Sequence, residues 1–346
     1  MKGAQPSAGT RVILAPVSFV DVLRGGMVES RHRVHAAVVR PDGTLLASVG
    51  DPDFVTFLRS AAKPFQALPL AAVMDDLGLT SRHLAIACAS HAGEDVHRET
   101  VLELMERGGV TPEMLACGTH LPFDAITREE LRERGEKPSV LHHNCSGKHS
   151  GMIAAALKHG WLAAGYELAT HPVQARISAD LAALAGIPHV PAAVDGCSVP
   201  AFALSMRASA LAFARLADPD EAPSELRAGL ERVYAAMREH PYLVAGRGRL
   251  DTRLMTALPG LVSKIGAEAY HGMALCESQY GPLGVSIKVE DGGERARDAA
   301  AMRVLAQLGV VREDEEPLAA LSRTTLRNHA GLEVGVLRAE FGLSFA

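Results

Sequence analysis

The sequence predicts an α/β protein of the α+β type, in which an antiparallel sheet from N- and C-terminal segments encloses a helical central region. Three observations lead there. Apolar residues alternate with period two between residues 27 and 50, and beyond residue 258 three consecutive strand-like segments are separated by tight turns. The stretch between is dominated by helical periodicity. The chain opens β-βα and closes ββ-α, which excludes the regular strand–helix alternation of a doubly wound sheet.

Taken in order, residues 27–50 read as a hairpin. Val34, Ala36 and Val38 alternate, as do Leu45, Ala47 and Val49, and Asp42-Gly43 between them is a strong turn signal. Residues 60–78 read as a helix interrupted by prolines. Residues 84–90 form a buried strand or helix segment. Residues 95–107 fit a helix stopped by Gly108-Gly109. Residues 111–146 are loop-rich. Helices follow over 147–166, 173–186, 206–214 and 225–239, the last with Leu226, Leu230, Val233 and Met237 on one face. Residues 258–265, 271–277 and 284–290 read as three consecutive strands, and 294–308 as a helix stopped by Gly309. The chain contains no repeat and no linker. It is read as one catalytic domain over 1–346, with sheet-forming segments at about 12–50 and 258–311 and a helix-rich region at about 60–250.

Composition narrows the function classes. With 48% hydrophobic residues in 346, the chain has material for a large core. The net charge is −5 with signs interspersed, and no basic run suggests a nucleic-acid partner. No apolar run reaches the roughly 18 residues of a membrane helix. The N-terminus lacks a secretory apolar region, so a cytoplasmic protein is expected. Five scattered cysteines argue for free thiols, metal ligands or catalytic groups rather than a disulfide framework.

Several short stretches carry chemistry. In "FLRSAAKPFQALP", Ser60 precedes Lys63 by three residues, a spacing that shares one helix face. Pro64 belongs in a first helical turn, which places Ser60 close to a helix start. A desolvated lysine can serve as base for a serine hydroxyl. The bland reading is a helix cap followed by a solvated lysine. Penicillin-binding proteins and serine β-lactamases combine Ser-x-x-Lys, a second serine element and a late Lys-Thr-Gly. Here Ser90-His91 and Lys264-Ile265-Gly266 stand in compatible order, but Ser-Asp-Asn is missing and Ile265 replaces the threonine.

The stretch "HHNCSGKHSG" fails as a phosphate-binding loop, because His142 and His149 occupy the positions of the first glycine and the Ser/Thr. Its alternative is a metal site. Cys145, with Cys197 of "VDGCSVP", could bind zinc together with nitrogen donors from His142, His143, Lys148 or His149. The competing reading is two buried thiols beside a polar loop. His32, His35, His97 and His240 read as surface residues, and Cys88, Cys117 and Cys276 as core.

Together "RSAAKPFQ", "SHAGE", "HHNCSGKHSGM", "VDGCSVP" and "LVSKIG" resemble the Rhizobium etli-type L-asparaginase family (asparaginase II, or class 3 asparaginases), over about residues 28–311. The resemblance implies a fold like that of serine β-lactamases, penicillin-binding proteins and glutaminases. It implies two Ser–Lys pairs, Ser60 with Lys63 and Ser90 with Lys264. It implies a zinc ion on Cys145, Lys148 and Cys197, with Arg59, His149 and Asp195 binding substrate. Family members are usually homodimers. The expected activity is hydrolysis of L-asparagine to L-aspartate and ammonia through an acyl-enzyme. A glutaminase or other serine amidohydrolase of that fold is the nearest alternative, and a non-catalytic zinc or amino-acid binding protein the alternative from another class.

Overall fold

The computed structural model describes residues 18–346. The sheet-forming stretch expected at 12–17 lies outside them. Twelve strands are present among the described residues: β1 Phe19–Arg24, β2 Met27–Val39, β3 Leu45–Val49, β4 Val55–Phe57, β5 Ala192–Val194, β6 Pro200–Ser205, β7 Leu261–Gly266, β8 Tyr270–Leu275, β9 Leu283–Val289, β10 Arg323–Arg327, β11 Glu333–Ala339 and β12 Ser344–Phe345. The main sheet runs β10-β11-β1-β2-β9-β8-β7, with β3 branching from β2 and carrying β12. Its pairings are antiparallel. The fold is therefore mixed α/β with an antiparallel sheet drawn from both ends of the chain, as the patterning predicts.

Two turns explain the N-terminal meander. Gly25 and Gly26 both have positive φ, +56° and +83°, as a two-residue hairpin turn demands. At the predicted Asp42-Gly43 turn, Gly43 N–H donates to Arg40 O (2.9 Å) and Thr44 N–H to Asp42 Oδ1 (2.8 Å).

The centre of the sheet is covered on both faces. Gly284 and Ser286 of β9 face the helix Met206–Ala217, where Ser286 Oγ donates to Met206 O (2.6 Å). A Cβ on Gly284 would lie 1.9 Å from Ala210 O. The intervening Val285 and Ile287 point the other way, toward the helix Glu294–Gln307 packed on β9. This double cover explains why residues 34–39 are buried without interruption, although their apolar residues alternate in sequence.

Several expectations are corrected. The helix over 60–78 is four short pieces: 3-10 turns at Arg59–Ala62 and Asp75–Leu77 flank helices Lys63–Gln66 and Leu68–Val73. Pro64 and Pro69 each sit in a first turn and restart the helix. Residues 84–87 close the helix Ser81–Ala87, and 88–90 follow it as irregular chain. The helix Ser146–Lys158 stops well short of residue 166. The loop-rich stretch contains a helix, Ala125–Arg134, whose Asp124 cap accepts from Thr127 N–H. The sheet does not end near residue 311, because β10–β12 extend it. The small sheet β4-β6-β5 was not foreseen. His32, His35 and His97 are buried rather than exposed. His32 and His35 pair with Asp291 and Glu290, and His97 with Tyr242 O, partners that free a histidine from needing water. Cys88 and Cys117 are core residues, whereas Cys276 is half-buried.

Candidate active site

The first wall of the site is the turn after β4. Arg59 has φ +51°, a left-handed conformation unusual for arginine. This turn carries half-buried Ser60 and delivers Lys63 into the interior. Ser60 does stand near a helix start, but that helix, Lys63–Gln66, is a single turn and brings no long helix dipole to it. β7 packs across the turn at close range. A Cβ on Gly266 would lie 2.3 Å from Leu58 O. Lys264 shares the face of Gly266, since residues two apart on a strand point the same way.

The second wall is a helix pair. Ser81–Ala87 leads into Ser90, and Ser146–Lys158 presents Lys148 and His149. They approach so closely that a Cβ on Gly147 would lie 2.3 Å from Ile86 O. Cys197 hangs in the turn between β5 and β6. Asp195 N–H donates to Val199 O (2.9 Å), and Ser198 adopts φ +78°.

Lys63 is fully buried, and its Nζ contacts Ala89 O (2.5 Å), Ser90 Oγ (3.0 Å) and Asn144 O (3.2 Å). Three acceptors saturate an ammonium. The hydrogen-bonded pair is thus Lys63 with Ser90, not Lys63 with Ser60 as the spacing suggested. Among the described residues Ser60 Oγ has no hydrogen-bond partner. Lys264 does not bond Ser90 either. Its Nζ contacts Asp251 Oδ2 (3.3 Å) and Ile265 O (2.9 Å), because a carboxylate outcompetes a hydroxyl for an ammonium.

Burial lowers both lysines. For Lys63, the Cys145 thiolate opposes this and the Lys148 ammonium adds to it. Lys264 falls to about 8, with Asp251 pulling back and Lys63 pushing further down.

Lys148 Nζ lies 3.1 Å from Cys197 Sγ, and Cys145 adjoins Cys197 and Lys63. The two thiols share a hydrogen bond. Hydrogen bonding from Cys197 holds Cys145 well below its ordinary value, and the same contact raises Cys197. Lys148 is raised: burial would lower it, but the Cys197 and Cys145 thiolates prevail. His149 Nδ1 meets Tyr166 Oη at 2.5 Å, while its Nε2 is buried without a partner beside Cys197. The other two histidines of the motif serve the loop. His142 Nδ1 accepts from Ser139 N–H (3.0 Å), and His143 Nδ1 from Cys145 N–H (3.0 Å). Among the described residues no group of three or more His, Cys, Asp or Glu is placed to hold a metal. Arg59 Nε and Nη2 reach Asp195 Oδ1 at 2.9 and 2.8 Å, so these two expected substrate-binding residues pair with each other.

Sequence reasoning missed Asp251, Asn144 and Tyr166. Asp251 stands on the separate helix Leu250–Ala257, thirteen positions from Lys264, and no local motif marks it.

A buried lysine against a serine, with a second lysine close by, is equipment for acyl transfer. The chain belongs to the L-asparaginase II family, whose model matches residues 20–339. Membership makes it an amidohydrolase acting on a small-molecule substrate. No curated protein matches. Among solved structures the chain is similar to a Bacillus glutaminase (13% identity, 80% of this chain and 91% of that one, TM-score 0.46). It is also similar to β-lactamases from Sphaerobacter thermophilus (14%, 81% and 93%, TM-score 0.43) and Mycobacterium bovis (16%, 80% and 95%, TM-score 0.42). No helix among the described residues is long and apolar enough to cross a membrane.

Proposed function

We propose that the protein is an L-asparagine amidohydrolase that releases aspartate and ammonia through an acyl-enzyme, as a homodimer in the cytoplasm. One observation carries the chemistry. Lys63 is buried, its charge disfavoured by desolvation, and it meets Ser90 Oγ. As a neutral amine it would spend two N–H bonds on Ala89 O and Asn144 O and keep its lone pair for a hydroxyl proton.

Ser60, on the strained turn with its hydroxyl free, would attack the side-chain amide carbon. Its proton would pass to Ser90, whose own proton goes to Lys63. Collapse of the tetrahedral adduct breaks the C–N bond, and ammonia leaves with a proton from the lysines. Water then reverses the sequence and frees aspartate. Arg59 and Asp195, already charge-paired, would exchange partners with the substrate's α-carboxylate and α-ammonium groups. His149 Nε2, unpaired and buried, would add a contact to the bound amino acid.

Cys145, Lys148 and Cys197 fit a zinc ion in donor chemistry: two sulfurs and an amine converge, with an orphaned imidazole nitrogen beside them. Lysine must release its proton to bind, so loading would be pH-dependent. Zinc bound there would supply positive charge for positioning substrate.

Ammonia release from asparagine and glutamine in parallel tests the reading, with zinc quantified on the same preparation. Release from neither amide overturns it, and faster release from glutamine transfers it to a glutaminase. A second reading, with Ser90 as nucleophile, is favoured by the Lys63–Ser90 bond. Ser60→Ala should abolish turnover, and quenched turnover of the wild type should leave an aspartyl ester on Ser60. An ester on Ser90 gives that residue the role.

A further inference from the structure

Of the buried lysines Lys63 and Lys264, Lys264 is the one with a carboxylate partner, and that partner lies outside the motifs. Asp251 sits off the free edge of β7, the last strand of the sheet. Its carboxylate accepts from Ile265 N–H on that edge (3.0 and 3.1 Å to the two oxygens), from Ser263 Oγ (2.7 Å to Oδ1) and from Lys264 Nζ (3.3 Å to Oδ2). Ser263 and Lys264 occupy opposite faces of the strand. One carboxylate therefore straddles the edge and holds a side chain from each face. Behind it, His271 Nε2 lies 2.8 Å from Ser263 Oγ. Ser263 spends its proton on Asp251, so His271 must donate from Nε2, and its Nδ1 is left buried with no partner. Asp251, Ser263, Lys264 and His271 are all fully buried.

The chain of donors makes the carboxylate rigid and keeps it charged. Buried carboxylates without such donors protonate instead. Lys63 has no carboxylate: its Nζ meets two backbone carbonyls and a hydroxyl, and its charged neighbours are Cys145, Cys197 and Lys148. The groups facing Lys264 are the Asp251 carboxylate, the cations Lys63 and Arg249, and the Cys88 thiol. Those facing Asp251 are Lys264, His271 and Arg249, with the Asp298 carboxyl beyond them.

We propose that Asp251 is a positioning residue that anchors Lys264 as the ammonium of the site, the group that gives a proton to the leaving ammonia. This role rests on the amidohydrolase reading, and the anchoring itself does not. Pairs of like groups driven apart by their surroundings are how a site assigns acid and base.

The test is Asp251→Asn in the full chain, with lysine labelled at 13Cε and Lys264 assigned by loss of its signal in Lys264→Arg. The Lys264 titration should move down by at least about one pH unit. In the same variant kcat on the better amide should fall about 100-fold with KM within about threefold, and Asp251→Glu should recover part of the loss. A carboxylate that only braced the strand would lower stability without moving that titration. An unmoved Lys264 titration, or an unchanged kcat, overturns the proposal. If the wild type released no ammonia from either amide, the amidohydrolase reading would fail, while the titration would still decide the anchor. Should Asp251→Asn not fold, Asp251→Glu carries both measurements, since a displaced charge must also shift Lys264.

Discussion

Gly147→Ala gives the sharpest structural test of how the site is held. Gly147 lies on the helix Ser146–Lys158, where a Cβ would stand 2.3 Å from Ile86 O and 2.9 Å from Ile86 C. The obstacle is backbone, which cannot rotate away. The contact must open to at least 3.0 Å, so the helices must part by about 0.7 Å. Overpacking of this kind costs about 1–3 kcal/mol, and the better helix propensity of alanine returns up to about 1 kcal/mol. A net loss of about 1–2 kcal/mol should appear as a lower urea midpoint with unchanged m value. The two helices also carry opposite partners of Lys63: Ser90 follows one, and Asn144 precedes the other. Contacts of 3.0 and 3.2 Å cannot both survive such a parting. Activity should therefore fall further than stability, by about 10–100-fold in kcat/KM at temperatures where the variant is fully folded. A variant as stable as wild type, with kcat/KM within about twofold, would refute the reasoning.

Two further outcomes are expected. Lys264, at about 8 in the folded chain against 10.5 for a free lysine side chain, binds fewer protons folded than unfolded between those pH values. Stability should thus rise with pH across that window, by up to about 3 kcal/mol from this residue, and the cost should be fully present below it. Urea melts should show Lys264→Met without that part of the rise, and an unaltered slope would contradict the assignment. If zinc is held as proposed, Cys197→Ser should reduce bound zinc from about one per chain to a small fraction. Verified chelation should then raise KM more than it lowers kcat, and near-full activity after zinc removal would exclude an essential metal.

What the sequence disclosed follows from how local each signal is. The hairpin at Asp42-Gly43, the strands β7–β9 and the helices from 173 onward rest on short-range periodicity, which survives folding. Pro64 and Pro69 were visible, yet whether they bend a helix or restart it depends on packing. β10–β12 eluded the reading because they are the sheet's edge strand, its neighbour and a branch, largely exposed and without clean alternation. The site motifs bring their residues close together, but the pairings are tertiary. Lys63 chose Ser90 because the Ala89 and Asn144 carbonyls lie around it, and Lys264 chose a carboxylate from another element. His97 shows the same limit: its neighbours on the helix Asp95–Gly108 are charged, while its own ring turns inward to Tyr242 O.

The sheet order has a consequence for assembly of the molecule. β2 finds β9 across most of the chain, Val39 pairing with Gly284. Contacts so distant in sequence close late, and folding dominated by them is slow. Ser60, Lys63, Ser90, Cys145 and Cys197 belong to the helix-rich part of the span between, and Asp251 and Lys264 to its last stretch, just ahead of β8 and β9. Lys264 and its Asp251 anchor stand at the sheet's far margin. A folding intermediate can therefore gather the serines, the first lysine and the thiols while the second lysine is still unplaced. The appearance of activity during refolding would time the closure of the last strand.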